Sequence, residues 1–274
     1  TVRTTRAALV KDIGLLIVLS VAILGLYGAV FLVCRFLFRF SLGMCALGAL
    51  AASAPNGPFI GAVVLGHLYG PASSIVVAIS GVLFYLTVVP VTVILVSLEA
   101  GQGATESESL PAHLPSPVVP PRVDILRKVV EAVKQPVVWL PLLGFVLVLL
   151  GIHVPVLTAD SFALLGHAAS GVALFASGVI LAGYKVAVSG PVLFLVFVKN
   201  ILQPALVWGA MVWLRYTNPL LGEAVVMAAL PMLVLVVMLS VQYQIGERET
   251  ASALFISTVA SLVTMSVFIA LVRR

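Results

Sequence analysis

The chain has 274 residues, of which 62% are hydrophobic and only 9% are charged, and its formal net charge at pH 7 is +5. Soluble domains contain about 45 to 50% apolar and about 25% charged residues, so this composition excludes an ordinary soluble protein and predicts an integral membrane protein. The basic residues lie at the ends of apolar segments, with no cluster of basic and aromatic residues, and we expect no nucleic-acid partner.

Apolar runs long enough to cross a bilayer recur along the whole chain. A helix needs roughly 20 residues to span about 30 Å of hydrocarbon, and runs of this length predict helices, not the alternating strands of a membrane barrel. We therefore predict an all-α membrane protein whose first partner is the lipid bilayer. The predicted spans are 13–34, 41–66, 71–98, 135–152, 161–184, 186–214, 224–246 and 250–272.

The second and the seventh of these spans contain prolines at matching positions. Pro55 and Pro58 lie in the second span, and Pro231 lies in the seventh. A proline inside a helix removes a backbone hydrogen bond and clashes with the preceding turn, so both helices are expected to break. The same offset of 176 residues relates three pairs of landmarks: Pro55 and Pro231, Arg39 and Arg215, Gly70 and Gly246. This offset predicts one structural unit that is used twice.

The polar segment 99–134 separates the two copies. Its glycines, acids and proline-rich tract predict a mobile or extended linker over 99–121, and an apolar stripe over 123–135 predicts a short helix at the membrane surface. Residues 1–98 then hold the remainder of a first repeat with three spans, and residues 135–274 a second repeat with five. If the halves are equal, two spans precede Thr1 and the intact protein has ten. Five spans separate the copies, an odd number, so their topology is inverted.

Duplicated halves with matching broken helices are typical of secondary transporters with a central binding site. Each break directs a half-helix amino terminus, with roughly half a positive charge, toward the membrane centre. Backbone donors at such termini hold anions, and the amide of Asn56 can donate to a carboxylate. We therefore predict a substrate site at the two breaks, formed by Pro55, Asn56, Gly57, Pro58, Pro231 and Met232.

Polar residues in other spans are secondary candidates for this site: Ser170, Ser177, Lys199, Gln203 and Gln242. The fifth span is rich in small residues at four-residue spacing, which favours tight helix packing. The alternative is a helix that slides past a neighbour and offers Ser170 or Ser177 to a ligand. Lys199 costs at least about 2.5 kcal/mol inside a bilayer. It is either a counter-charge for an anionic substrate or a structural cation bonded to carbonyls that a broken neighbour leaves free.

The chain resembles the auxin efflux carrier family, whose bacterial members include malonate-permease-like transporters. The resemblance covers nearly the whole chain and is strongest over 51–61, 167–178, 199–204, 230–231 and 242–247. It implies two broken helices that cross at Pro55, Asn56, Gly57 and Pro231. It also implies separate scaffold and transport bundles with an elevator-like motion, a small organic anion such as malonate or another carboxylate as substrate, and a multi-pass location in a bacterial inner (plasma) membrane.

Other functions fit the sequence less well. A proton- or cation-coupled antiporter of related fold is disfavoured because the ten acids lie in loops or at span ends. A non-transporting receptor or scaffold would not need two breaks. We expect no enzyme, metal site or cofactor, since the histidines lack ligand spacing and no nucleophile motif occurs. The coupling ion, whether proton or sodium, and a homodimer stay open. Loop charges slightly favour a cytoplasmic linker at 99–134.

Overall fold

The computed structural model describes residues 13–70, 73–107, 130, 134–150, 155–183 and 185–273. Within these ranges the regular secondary structure is helical, apart from one isolated β-bridge between Pro55 and Met232. The helices in chain order are α1 Ile13–Phe36, α2 Leu42–Ser53, α3 Gly57–Tyr69, α4 Ser74–Leu86, α5 Val88–Ser107, α6 Pro136–Leu149, α7 Val156–Gly183, α8 Gly190–Trp213, α9 Leu220–Ala229, α10 Leu235–Tyr243 and α11 Glu247–Val272.

Several described helices have the length and composition of membrane spans. Four are long and apolar enough to cross a membrane, and one of them runs across the junction of α4 and α5. They are Ile17–Phe36, Val76–Ala100, Gly190–Trp213 and Glu247–Val272. α2, α3 and α9 are apolar but shorter, since each is one part of a broken helix. The prediction of an all-α membrane protein is confirmed.

The third predicted span is interrupted at Thr87, one turn before Pro90. α4 ends at Leu86 and α5 begins at Val88. Pro90 has no N–H to give to the carbonyl of Leu86, so the helix loosens on the amino-terminal side of the proline. The Thr87 hydroxyl donates to the carbonyl of Leu83 and helps to close the end of α4.

Two predicted boundaries differ from the structure. α5 continues to Ser107, so residues 99–107 of the predicted linker are helical. α7 begins at Val156, so residues 156–160 of a predicted turn are helical as well. Polar side chains mark where an apolar run ends, whereas a helix continues as long as its backbone bonds are made. Residues 108–129 and 131–133, which hold the rest of the linker and most of the predicted surface helix, lie outside the described residues.

The backbone repeats the sequence offset of 176 residues. Arg39 and Arg215 have φ angles of 55° and 59°, and Gly70 and Gly246 have φ angles of 81° and 58°. In the first half α2 packs against α1 and α5, and in the second half α9 packs against α8 and α11. Positive φ angles reverse the chain after a helix. The turns that direct the broken helices are therefore at matching positions in both halves.

Candidate functional site

Both prolines lie where the helices are interrupted. α2 ends at Ser53, and its C-cap Ala54 is extended, with φ −101° and ψ 113°. α9 ends at Ala229, and its C-cap Leu230 has φ −58° and ψ 151°. The chain resumes a helical path at Gly57 and at Leu235. Neither Pro55 nor Pro231 has an amide hydrogen, so a continuous helix through these positions would lose a bond.

The two interrupted segments cross and bond to each other through their backbones. The backbone N–H of Asn56 donates to the carbonyl of Pro231 at 2.9 Å, and the backbone N–H of Leu233 donates to the carbonyl of Ala54 at 3.1 Å. These bonds flank the antiparallel β-bridge of Pro55 with Met232. A break in a buried helix frees backbone groups that need partners. Here each break supplies the partners of the other, and we call this place the crossing.

Glycines let the two broken helices approach closely beside the crossing. A Cβ added at Gly57 would overlap the terminal methyl of Met227, and one added at Gly61 would lie 2.9 Å from Cδ1 of Leu230. The two contacts join the start of α3 to α9 and to the C-cap residue of α9. Gly57 is buried together with Pro55, whereas Pro58 is only partly buried. Close packing of the two broken helices therefore explains these glycines without any ligand.

Backbone donors at the crossing are already paired within the protein. The Gly57 amide donates to the carbonyl of Pro55 at 2.8 Å, and the Met232 amide donates to the Ser257 hydroxyl at 3.1 Å. The amides of Asn56 and Leu233 bond across the crossing. None of these four backbone N–H groups is therefore free to bind an anion in this conformation. The positive ends of the half-helices remain directed at the crossing.

The Asn56 side chain has unused hydrogen-bonding capacity. Asn56 is 1% exposed, and within the described residues its Oδ1 has no hydrogen-bond partner. Leaving a buried polar group unpaired costs about 1 to 3 kcal/mol. Native proteins keep few such groups, and each needs an explanation. A ligand that donates a hydrogen bond to Oδ1 would provide one.

Lys199 and Gln203 join the carboxyl-terminal ends of both broken helices. Lys199 is 0% exposed, and its Nζ donates to Gln203 Oε1 and to the carbonyl of Ala228, both at 2.8 Å. Gln203 Nε2 donates to the carbonyl of Ser53 at 2.6 Å. Ser53 is the last residue of α2, and Ala228 is in the last turn of α9.

The carbonyls that these side chains bond belong to the last turns of interrupted helices, where the backbone supplies no intrahelical donor. A cation is also favourable at a helix carboxyl terminus, because the helix dipole is negative there. Of the two alternatives for Lys199, this geometry favours the structural cation. Lys199 lies in a π-helical segment of α8, Val198–Leu202, and Gln203 is the residue that follows this segment. Such segments are frequent at functional sites.

Sequence reasoning missed Asn200 and Ser257. The Asn200 Nδ2 donates to the carbonyl of Ser257, and the Ser257 hydroxyl donates to Asn200 Oδ1, both at 2.7 Å. The same hydroxyl accepts from the Met232 amide at 3.1 Å. The available signal was a polar residue in the middle of each of two apolar spans. α8 and α11 together hold the second break in place.

Three secondary candidates are not brought to the crossing by described contacts. Gln242 is exposed near the end of α10, ten residues beyond Met232 and about 10 Å along the helix from its start at Leu235. Ser170 and Ser177 lie in α7, and their side chains fall outside the described residues.

The described glycines of α7 are not closely packed. A Cβ added at Gly166, Gly171 or Gly178 would meet nothing within 4 Å. Large apolar residues of the same helix are also exposed: Leu157, Phe162, Leu164 and Phe175. Within the described part of the chain, this helix therefore presents an open apolar surface.

Apolar spans and two broken helices that cross define an all-α membrane protein of the architecture used by secondary transporters. A family model described as "Membrane transport protein" matches residues 1–269, and the chain belongs to this family. This confirms the resemblance drawn from the sequence.

The chain is also similar to curated relatives. The "Uncharacterized transporter YfdV" of Escherichia coli (strain K12) is 28% identical over 269 residues, which is 97% of this chain and 81% of the relative. The proteins of the same name from Escherichia coli O157:H7 and Shigella flexneri have the same identity and coverage. The family and these relatives are described as transporters.

Proposed function

We propose that the protein is a secondary transporter of small organic anions, malonate or similar carboxylates, which works by alternating access with an elevator-like motion. The observation that supports this proposal is the crossing, at which two interrupted helices exchange backbone hydrogen bonds. Irregular backbone inside a membrane protein is tolerated where it is covered by protein or lines a cavity. Transporters use such paired breaks to form a central binding site.

The electrostatics of the crossing support a negatively charged substrate. The half-helices α3 and α10 begin there, so their positive ends face the proposed site. The buried polar side chains around the two breaks are neutral or cationic: Ser53, Asn56, Lys199, Asn200, Gln203 and Ser257. In this proposal the Nδ2 group of Asn56 donates to the carboxylate, while Pro55, Gly57, Pro58, Pro231 and Met232 shape the path around it.

Matching positions in the two halves support an inverted repeat. The positive φ angles at Arg39 and Arg215 and at Gly70 and Gly246 follow the 176-residue offset. An inverted repeat lets one half exchange roles with the other during alternating access. The exposed apolar surface of α7 fits a scaffold helix along which the crossing would move.

Reconstitution into proteoliposomes tests this function. We expect saturable uptake of labelled malonate, which an excess of unlabelled dicarboxylate inhibits and its uncharged diamide does not. Asn56→Ala should reduce uptake at least tenfold, while Gln242→Ala, which removes an exposed amide of α10, should leave uptake unchanged. Equal inhibition by the diamide would exclude anion recognition, and full uptake by Asn56→Ala would remove that residue from the site.

A further inference from the structure

The ammonium of Lys199 occupies an unusual position between the two broken helices. It is fully buried, and both of its acceptors, Gln203 Oε1 and the Ala228 carbonyl, are neutral oxygens at 2.8 Å. Through Gln203 it is linked to the carbonyl of Ser53 as well. The carboxyl-terminal ends of α9 and α2 thus share a single positive charge.

Oxygen atoms of this kind are ligands for small cations. Carriers with discontinuous helices bind their coupling ion at unwound carbonyls and at half-helix carboxyl termini. Carbonyl and amide oxygens are also the ligands that hard cations prefer. The described structure offers such oxygens at both breaks, and the Lys199 ammonium already bonds one carbonyl directly and reaches the other through Gln203.

We propose that Lys199 is a tethered cation that takes the place of a coupling sodium ion, so that the crossing is assembled without a bound metal ion. The consequence for transport, which rests on the proposed function, is anion movement that does not depend on sodium. Since the charge is part of α8, it moves with the protein and is never released. Net movement would then follow the electrochemical gradient of the anion, and accumulation against that gradient would require exchange for another anion.

Only one half of the molecule carries this charge. The residue at the corresponding position of the first half, 176 residues before Lys199, is Ile23, which is 2% exposed. Ile23 belongs to the apolar cluster that surrounds the first break. The proposal therefore predicts one cation-accepting place in the described part of the chain, located beside the end of α9.

Thermal unfolding in nanodiscs tests the proposal without a substrate. Melting temperatures are compared in sodium chloride and in N-methylglucamine chloride at equal ionic strength. We expect the wild type to melt at the same temperature in both salts. Lys199→Met keeps the length of the stem but removes the charge, and it should lower the melting temperature by roughly 6 to 12 °C in either salt. Lys185→Met, at an exposed lysine, is the matched control and should change little.

Lys199→Ser removes the stem and leaves space beside the free oxygens. We expect this variant to be destabilised in N-methylglucamine and to recover part of its melting temperature as sodium is added, with saturation. Sodium-specific stabilisation of the wild type, a Lys199→Met protein as stable as the wild type, or a Lys199→Ser protein that ignores sodium would each overturn the proposal. Failure of malonate uptake alone would reject the proposed function and leave this result standing.

Discussion

At the first break Pro55 is followed by Asn56 and Gly57, whereas at the second break Pro231 is followed by Met232 and Leu233. Both breaks have the same backbone pairing, but their side chains differ in what they bond. Around the second break the Met232 amide is held by Ser257, while at the first the Asn56 Oδ1 has no partner within the described residues. The second break therefore has a fixed polar support, whereas the first has a side chain that is open to a ligand.

The polar support comes from the second half for both breaks. Gln203 of α8 bonds the end of α2, and Lys199 of α8 bonds the end of α9. In the first half the residues at these positions are Tyr27 and Ile23, and Tyr27 bonds Thr92 and does not reach a break. An inverted repeat does not require equal chemistry in its halves. One half can support the crossing while the other contacts the substrate.

The largest effect is expected from Gln203→Leu, which breaks the support of both helices at once. It removes one of the two acceptors of Lys199 and the donor to Ser53, leaving a buried cation and a buried carbonyl short of partners. We expect a loss of about 3 kcal/mol in the free energy of unfolding. Gln242→Leu makes the same change at an exposed site and should alter the free energy of unfolding by less than about 0.5 kcal/mol. Similar values for both variants, measured by denaturant unfolding in micelles, would contradict the role of Gln203.

A smaller loss is expected from Ser257→Ala. This change leaves the Met232 amide and Asn200 Oδ1 without their partner, at a cost of about 2 kcal/mol. Ser266→Ala on the same helix removes an exposed hydroxyl that bonds only its own helix, and we expect almost no change. The same unfolding measurement compares the two, and equal stability would show that Ser257 does not hold the second break.

The smallest effect on stability is expected from Asn56→Ala, although its effect on uptake is large. Because Oδ1 has no partner, its removal should change the free energy of unfolding by less than about 1 kcal/mol. Asn200→Ala deletes a carboxamide bonded at both ends and should cost about 2 kcal/mol. If Asn56→Ala destabilises as much as Asn200→Ala, Asn56 has a structural role and the contrast between the breaks is lost.

Local rules were sufficient to predict where helices are interrupted. Proline cannot continue a helix, so Pro55 and Pro231 were expected at breaks and were found there. Gly70, one of the repeated landmarks, caps α3 with a φ of 81°. The interruption at Thr87 and the continuation of α5 past Glu99 were not predicted, because a helix end depends on backbone bonds that composition does not reveal.

The candidate site was predicted in part. Pro55, Asn56, Pro231 and Met232 meet at the crossing, whereas Gln242 does not reach it. Asn200 and Ser257 were missed because a single polar residue in an apolar span does not indicate its partner. The pairing of Asn56 with Pro231 joins residues 175 positions apart, and no local pattern specifies such a contact.

The sequence by itself determined that the chain enters a membrane, that its helices break at two prolines, and that the breaks recur at a fixed offset. Each of these follows from transfer energies or from backbone sterics, which act over a few residues. Only the tertiary structure decided that the breaks bond to each other, that Lys199 and Gln203 bond the ends of both broken helices, and that the backbone N–H groups nearest the crossing are paired. Buried polar groups take whichever partner the packing brings within reach, and packing is a property of the whole fold.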